Sequence, residues 1–426
     1  MRLLIKQTKL FEPTHPLHLK LCDIFVVNGV IEDIQAQIEV ADAEKIEANG
    51  TWTSIGYMDI GTQIGEPGYE HREDFQTVTA AAAAGGFTAI ASFPNTHPVI
   101  QSKAKVNFLK NYAKENLVNF LPIGATTKDT EGKEMTEMYD MHQAGAIAFS
   151  DGEKPIQDTG MLLRVLQYAK AFNGIVVNHP HDQFVGQAQM HEGSVSTKLG
   201  MKGIPSLSEE LMLQRDIELL AYTNSRLHVH NISTATAVEM IQAAKARGLN
   251  ITASVSALHL LFNHNALSDF NPNFKVLPPL REETDRIALL QGVADGTIDC
   301  ITSNHVPYEV ESKFLEFSYA KFGAIALETA FITSWNALQS VLSPAQIIER
   351  WAFASRKAFD LNIPSIEVGA KANLTVFDPE KTWTVKGTSL YSKSKNSPFI
   401  GQQIIGKTIL TINNHKAYNI WQSQES

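Results

Sequence analysis

The stretch TSIGYMDIGTQIGEPGYEHRED, residues 53–74, decides the fold. It runs apolar from Ile55 to Ile60 around one carboxylate, Asp59, and then opens into a polar, glycine-rich turn through Gly61, Gly65 and Gly68. A short apolar run of this kind reads as a buried strand. Its C-terminal end hands residues to a loop, which is where barrels of alternating strands and helices place their sites.

Outward from this stretch the chain alternates. Strand-like runs lie at 88–93 (TAIASF), 118–123, 146–149, 174–177, 226–230, 250–255 and 297–302. Between them, helical patterns fall at 79–84, 102–115, 135–144, 161–172, 208–222, 234–247 and 285–294. About eight strand-then-helix units at this spacing predict a (β/α)8 TIM-type barrel over residues 55–364. A doubly wound open sheet is the alternative, but no G-x-G-x-x-G opens a helix here.

The ends read differently. Strands are predicted at 3–5, 19–27 and 30–34, the last two joined by the hairpin turn Asn28-Gly29. Others follow at 372–377, 383–385 and 404–412. Residues 1–54 and 365–426 together are expected to form one small β-sandwich domain, against the plainer alternative of two unrelated edge hairpins.

Composition narrows the class. A chain of 426 residues, 44% hydrophobic and 19% charged, has the make-up of a globular enzyme-sized protein. A net charge of −9 without a basic run argues against a nucleic-acid surface. The only early apolar run, Leu3-Leu4-Ile5, is too short for a signal peptide or a membrane span. Two distant cysteines, Cys22 and Cys300, form no disulfide framework, so the expected compartment is the cytoplasm.

Polar residues recur at the predicted strand ends: Asp59, Asn95, Asp151, His179, His181, His228, His230, Asn231, His259, Asn304 and His305. Any one is more often a satisfied polar residue than a ligand; their recurrence outlines an active-site plan. The motifs around them then resemble the dihydroorotases of the amidohydrolase superfamily. Residues 59–68, DIGTQIGEPG, resemble that family's D-x-H-x-H-x-R-E-P-G. PNT at 94–96, FSDGEKP at 149–155, GMKGIP at 200–205, NPNFKVLPPLR at 271–281, DGTID at 295–299 and LETA at 327–330 follow in family order. Hydantoinases share the leading motif, but PNT, the NPN segment and LETA favour dihydroorotase.

The resemblance implies a zinc-activated water that opens or closes a cyclic amide. It also shows which parts are changed. The first two metal-histidine positions fall on Gly61 and Gln63. A ligand carboxylate falls on Asp151 and a third histidine on His179, while a fourth falls on Asn231. The proton-shuttling aspartate is Asn304, and loss of a general base alone costs about 10²–10⁴ in rate. The carboxylate-gripping arginine is Gly65, the asparagine before the paired prolines is Leu277, and Tyr308 replaces a closing histidine. Asn95 and His305 match substrate-pocket positions.

The expectation is therefore no catalytic residues, no resident metal and no dihydroorotase turnover. One rescue is a relocated zinc site built from the two H-x-H pairs, His179 with His181 and His228 with His230. By resemblance to inactive members of the family, the expected role is structural or regulatory partnership with aspartate carbamoyltransferase in pyrimidine biosynthesis, as a homo-oligomer. The competing readings are an active cyclic-amide hydrolase with a rebuilt metal site and a small-molecule sensor using the old pocket.

Overall fold

The computed structural model describes residues 1–114 and 116–419. Glu115, at the end of the helix expected over 102–115, and residues 420–426 of the C-terminal β unit lie outside the described residues. No helix among those described is long and apolar enough to cross a membrane.

Both termini feed one mixed sheet. From the N-terminal side come β1 (Arg2–Leu10), β2 (Leu21–Val27), β3 (Val30–Gln35), β4 (Glu44–Glu47) and β5 (Trp52–Ile55). Asn28 and Gly29 both have positive φ, 48° and 76°, the backbone that a two-residue hairpin turn needs to match strand twist.

The barrel strands are β6 (Tyr57–Thr62), β7 (Phe87–Ser92), β8 (Asn119–Gly124), β9 (Ala148–Phe149) and β10 (Val176–Asn178). A two-stranded excursion follows, β11 (Met190–His191) with β12 (Gly203–Ile204). The barrel then resumes with β13 (Leu227–Val229), β14 (Ile251–Ser256) and β15 (Cys300–Thr302). All eight barrel strands pair in parallel, in chain order. Strands buried on both faces read as continuous apolar runs, which is why β6 and β7 are buried at every position. The chain then returns through β16 (Leu374–Thr384), β17 (Gln403–Asn413) and β18 (Lys416–Asn419), and β16 pairs with β5. The architecture is a (β/α)8 barrel with a small β unit from both termini.

Closure depends on Asp59. Its carboxylate accepts from the Ser303 backbone N–H (2.6 Å), the Ser303 hydroxyl (2.6 Å) and the Thr62 hydroxyl (2.6 Å). One residue later, Gln63 N donates to His305 O at 3.1 Å. The first and last barrel strands are thus clasped by a buried charge with three donors.

The helix Phe75–Gly85 starts four residues before the alanine run that signals it. Asp74 caps it, accepting from Thr77 N (2.9 Å), while Thr77 Oγ1 accepts from Asp74 N (3.1 Å), and Gly86 ends it with φ 91°. Its last carbonyls are met by the small unit. Thr411 Oγ1 donates to Ala83 O (2.8 Å) and Thr375 Oγ1 to Gly86 O (2.6 Å). Beside them Asn373 accepts from Gly56 N and Thr88 Oγ1, both 3.0 Å, and donates to Asn413 Oδ1 at 3.0 Å. Asn413 Nδ2 in turn donates to Leu117 O at 2.7 Å. Replacing Asn413 with Leu strands the Leu117 carbonyl and the Asn373 amide in a buried interface. The expected cost is about 1–3 kcal/mol for each such group, read as a lowered urea midpoint with an unchanged slope.

The segment at 391–396 laces the small unit to the barrel rim. Glu328 accepts from Tyr391 N (2.9 Å) and Ser392 N (3.1 Å), and Glu73 accepts from Lys393 N (2.9 Å). Burial pushes the Glu328 carboxyl from 4.5 up to about 7. The folded chain therefore holds this proton more tightly than the unfolded chain does. Ionising Glu328 costs stability, and that loss grows as pH rises from about 4.5 to about 7. Relative to wild type, Glu328→Gln is expected to gain up to about 3 kcal/mol across that window and nothing further above it. Paired denaturation curves at successive pH values check this.

Candidate functional site

At the C-terminal ends of the barrel strands lies a cavity of about 240 Å³. Gly61 and Gln63 from β6 and the turn after it, Phe93, Glu153, His179, His230, Asn231 and Asn304 form its wall. Leu277, Tyr308, Lys321 and Phe322 close it from two long loops.

Gly61 has φ 80°, and a β-carbon there would stand 2.6 Å from His230 Cε1 and 2.8 Å from Phe93 Cε2. Those two rings pack edge to face, centroids 4.9 Å apart. The place of the first metal histidine is therefore filled, by groups from β13 and from the end of β7. Gly65 is equally committed: a β-carbon there would fall 2.1 Å from Glu73 O. No arginine fits. Gln63 spends its amide on the Glu153 carboxylate.

The asparagines hold the rim. Asn231, at φ 54°, accepts from Thr302 Oγ1 (2.7 Å) and donates to His230 Nε2 (2.9 Å). That bond makes His230 Nε2 an acceptor and puts its proton on Nδ1, 3.4 Å from Ser254 Oγ. Asn304, at φ 52°, donates to Leu277 O at 3.2 Å. Neither amide titrates, so neither shuttles a proton.

Three expected positions are tied up elsewhere. Asp151 does not face the cavity: its carboxylate accepts from Thr126 N (3.0 Å), Thr126 Oγ1 (2.6 Å), Thr127 N (2.9 Å) and the Thr127 hydroxyl. Asn95, expected as a pocket remnant, lines a recess beside the cavity with Gln63 and Gly65 and staples the 151–153 turn, donating to Asp151 O (3.0 Å) and accepting from Glu153 N (3.1 Å). His305, the other expected remnant, is fully buried behind the wall. Its Nδ1 accepts from Ala326 N at 3.2 Å and its Nε2 lies 3.4 Å from Glu73.

The two H-x-H pairs do not converge. His228 is held inside the barrel by Thr252 Oγ1 (2.9 Å) on Nδ1 and Ser254 Oγ (3.1 Å) on Nε2. His181 sits 3.3 Å from Ser208 Oγ. Among the described residues these four histidines form no group of three donors within reach of one ion. Among the described residues, only His179 of these four offers the cavity a bare nitrogen. Its Nδ1 donates to His230 O (3.1 Å), and its buried Nε2 has no partner. Burial holds that ring down at about 4, so it is a neutral acceptor. Zinc at a catalytic centre needs about three imidazole or carboxylate donors on one ion. The donors here, His179 Nε2 and a Glu153 engaged by Gln63, do not make that set, and no step is derived through a metal in this cavity.

Glu153, Lys321 and Phe322 were not singled out from sequence as wall residues. The only sign of Glu153 was its place in FSDGEKP. Lys321 and Phe322 lie in an irregular loop with no periodicity to read. Asn396 fixes that loop, donating to Val306 O (3.0 Å) and Gly323 O (3.1 Å).

Comparison with known proteins agrees with this frame. The dihydro-orotase-like family matches residues 53–237. A dihydroorotase of Pelotomaculum thermopropionicum is 39% identical over 97% of both chains. Another, of Geotalea daltonii, is 38% identical over 97% of this chain and 98% of its own. Among solved structures, the L-hydantoinase of Arthrobacter aurescens superposes with a TM-score of 0.83 at 24% identity, over 97% of this chain and 95% of that one. The dihydropyrimidinase of Brevibacillus agri NCHU1002 gives 0.81 at 20%, over 98% and 95%. At those identities the structural likeness is one of fold. The identity to the two dihydroorotases, sustained along nearly the whole sequence, places the chain in the dihydroorotase family.

Proposed function

We propose that this chain is a non-catalytic member of its family, acting in pyrimidine biosynthesis as a structural or regulatory partner of aspartate carbamoyltransferase. One observation carries the loss of catalysis: the space beside Gly61 is occupied by the His230 and Phe93 rings. A merely absent ligand leaves a hole that water or another donor fills. Here the space at position 61 itself is closed, and the cavity it borders keeps one unengaged imidazole nitrogen, His179 Nε2. The partnership rests on the family resemblance. It is supported by the rim segment, where Val310, Phe314, Leu315 and Tyr319 expose large apolar surfaces within ten residues, a pattern that marks contact surfaces. The same reading has the chain as a homo-oligomer in the cytoplasm.

A second reading, a working dihydroorotase or other cyclic-amide hydrolase, is favoured by the relatives. Those sharing 39% and 38% identity carry the name dihydroorotase, and the cavity keeps a bare His179 nitrogen. Turnover separates the two. With zinc supplied, the purified chain is expected to open dihydroorotate at least about a thousandfold below an ordinary rate of about 1 per second. Metal-dependent turnover near that ordinary rate sinks the first reading. Failure of the chain and the transferase to associate at micromolar concentrations sinks the partnership.

The packing makes a separate prediction. Gly61→His is expected to destabilise the fold by about 2 kcal/mol or more through overpacking and the positive φ, with no gain in turnover. Urea denaturation of the variant beside wild type measures it.

A further inference from the structure

Away from the cavity, His191, His264 and Glu282 each present one ligand atom, and the three atoms lie within 4.8 Å of one another. They come from three segments. His191 ends β11, in the excursion after β10. His264 opens the helical turn His264–Leu267, beyond β14 and the short helix Ala257–Leu261, and Glu282 precedes the helix Glu283–Asp295. None of them lines the barrel cavity.

Two features make this more than proximity. First, His264 is 6% exposed, yet its Nδ1 has no hydrogen-bond partner. A buried nitrogen left bare costs about 1–3 kcal/mol unless something binds it. Second, the groups converge on one empty point. A β-carbon on Gly193 would stand 3.2 Å from Glu282 Oε1, 3.3 Å from His264 Nδ1 and 3.3 Å from His191 Cδ2. Gly193 is extended, φ −179°, so glycine is not required there by backbone conformation; its missing side chain keeps the point open. Arg281 Nη1 donates to Ile204 O at 3.0 Å and to His191 Nδ1 at 3.2 Å, so the metal-free ring carries its proton on Nε2. Zinc binding selects the other tautomer, which leaves Nε2 bare on the Cδ2 edge that faces Gly193 and needs the Nδ1 proton turned to an acceptor such as the Ile204 carbonyl, as is usual behind metal ions. Arg281's charge is offset by Glu209 at 3.8 Å and its Nε is spent on Ser233 Oγ at 2.9 Å.

We propose that His191, His264 and Glu282 form a binding site for one Zn²⁺, clipping the β10 excursion to the 264–267 turn and to the start of the 283–295 helix. Two imidazoles and a carboxylate are a zinc donor set, with water taking the fourth position. A tetrahedral ion with bonds of about 2.0–2.2 Å needs its donors about 3.3 Å apart. The exposed Glu282 carboxylate closes that remaining distance. The site is independent of whether the barrel cavity turns over.

The test uses the full chain stripped with chelator, loaded with Zn²⁺, passed through gel filtration and analysed for metal. Wild type and His179→Ala are expected to retain one zinc per chain. His264→Ala and His191→Ala are expected to bind at least about tenfold more weakly. Gly193→Ala keeps every donor but puts a methyl on the convergence point, so it is expected to lose zinc as well while melting like metal-free wild type. It answers the question even where a histidine variant fails to fold. A wild type that retains no zinc overturns the proposal, as does zinc that survives both His264→Ala and Gly193→Ala. Zinc lost only with His179→Ala, accompanied by turnover, would overturn the non-catalytic reading as well, so the two failures are distinguishable.

Discussion

The bond set at Asp59 is the constraint on which the rest depends. A carboxylate fully out of water is costly unless paired or well hydrogen-bonded, and here three donors meet it, two of them from Ser303. Burial still raises its proton affinity, so the donors offset the penalty without abolishing it. What the arrangement secures is closure. Ser303 is 244 residues away in sequence, and no local propensity would bring β15 beside β6. Once closed, the clasp fixes Gly61 and Gln63 on one side and Asn304 on the other, with His305 turned behind the wall. The cavity geometry is a consequence of that clasp.

Much of this was legible in the sequence because parallel strands buried on both faces leave a plain signal. The runs at 88–93 and 250–255 match β7 and β14 within a residue. The Asn28-Gly29 turn was readable for the same local reason, since few residue pairs accept two positive φ angles. The helix at 75–85 was read short because its capping pair, Asp74 and Thr77, lies outside the alanine run. The strand at 146–149 shrank to Ala148–Phe149, where the barrel needs only a brief pairing between β8 and β10.

The site was legible as residue types but not as directions. Sequence showed that Gly61, Gln63, Asn231 and Asn304 lack the expected groups. It could not show that His230 and Phe93 fill the space beside Gly61. Side-chain direction at the strand ends is set by backbone angles such as φ 54° at Asn231 and 52° at Asn304, which no periodicity encodes. His228 and His230 both turn into the barrel. Their centroids are 6.4 Å apart along the strand, so they belong to successive layers of a packed barrel rather than to one coordination sphere. Asp151, where the resemblance puts a ligand carboxylate, is held by its neighbours Thr126 and Thr127, which residue type alone does not reveal.

The barrel interior is thus a store of neutral imidazoles, with consequences for when the fold survives. Burial depresses His179, His181 and His259 to about 4 and His228 to about 3. Each of these groups binds protons more readily in the unfolded chain, whose histidines titrate near 6.5. Their contribution is therefore complete above about 6.5 and is lost as pH falls toward 4. Glu328 pulls the opposite way across an overlapping window, since its ionisation disfavours the fold. Hydrogen bonding fixes two of these rings: Thr252 and Ser254 hold His228, and Asn231 holds His230. Those partners engage the ring nitrogens of His228 and His230, while His179 Nε2 at the barrel mouth stays bare.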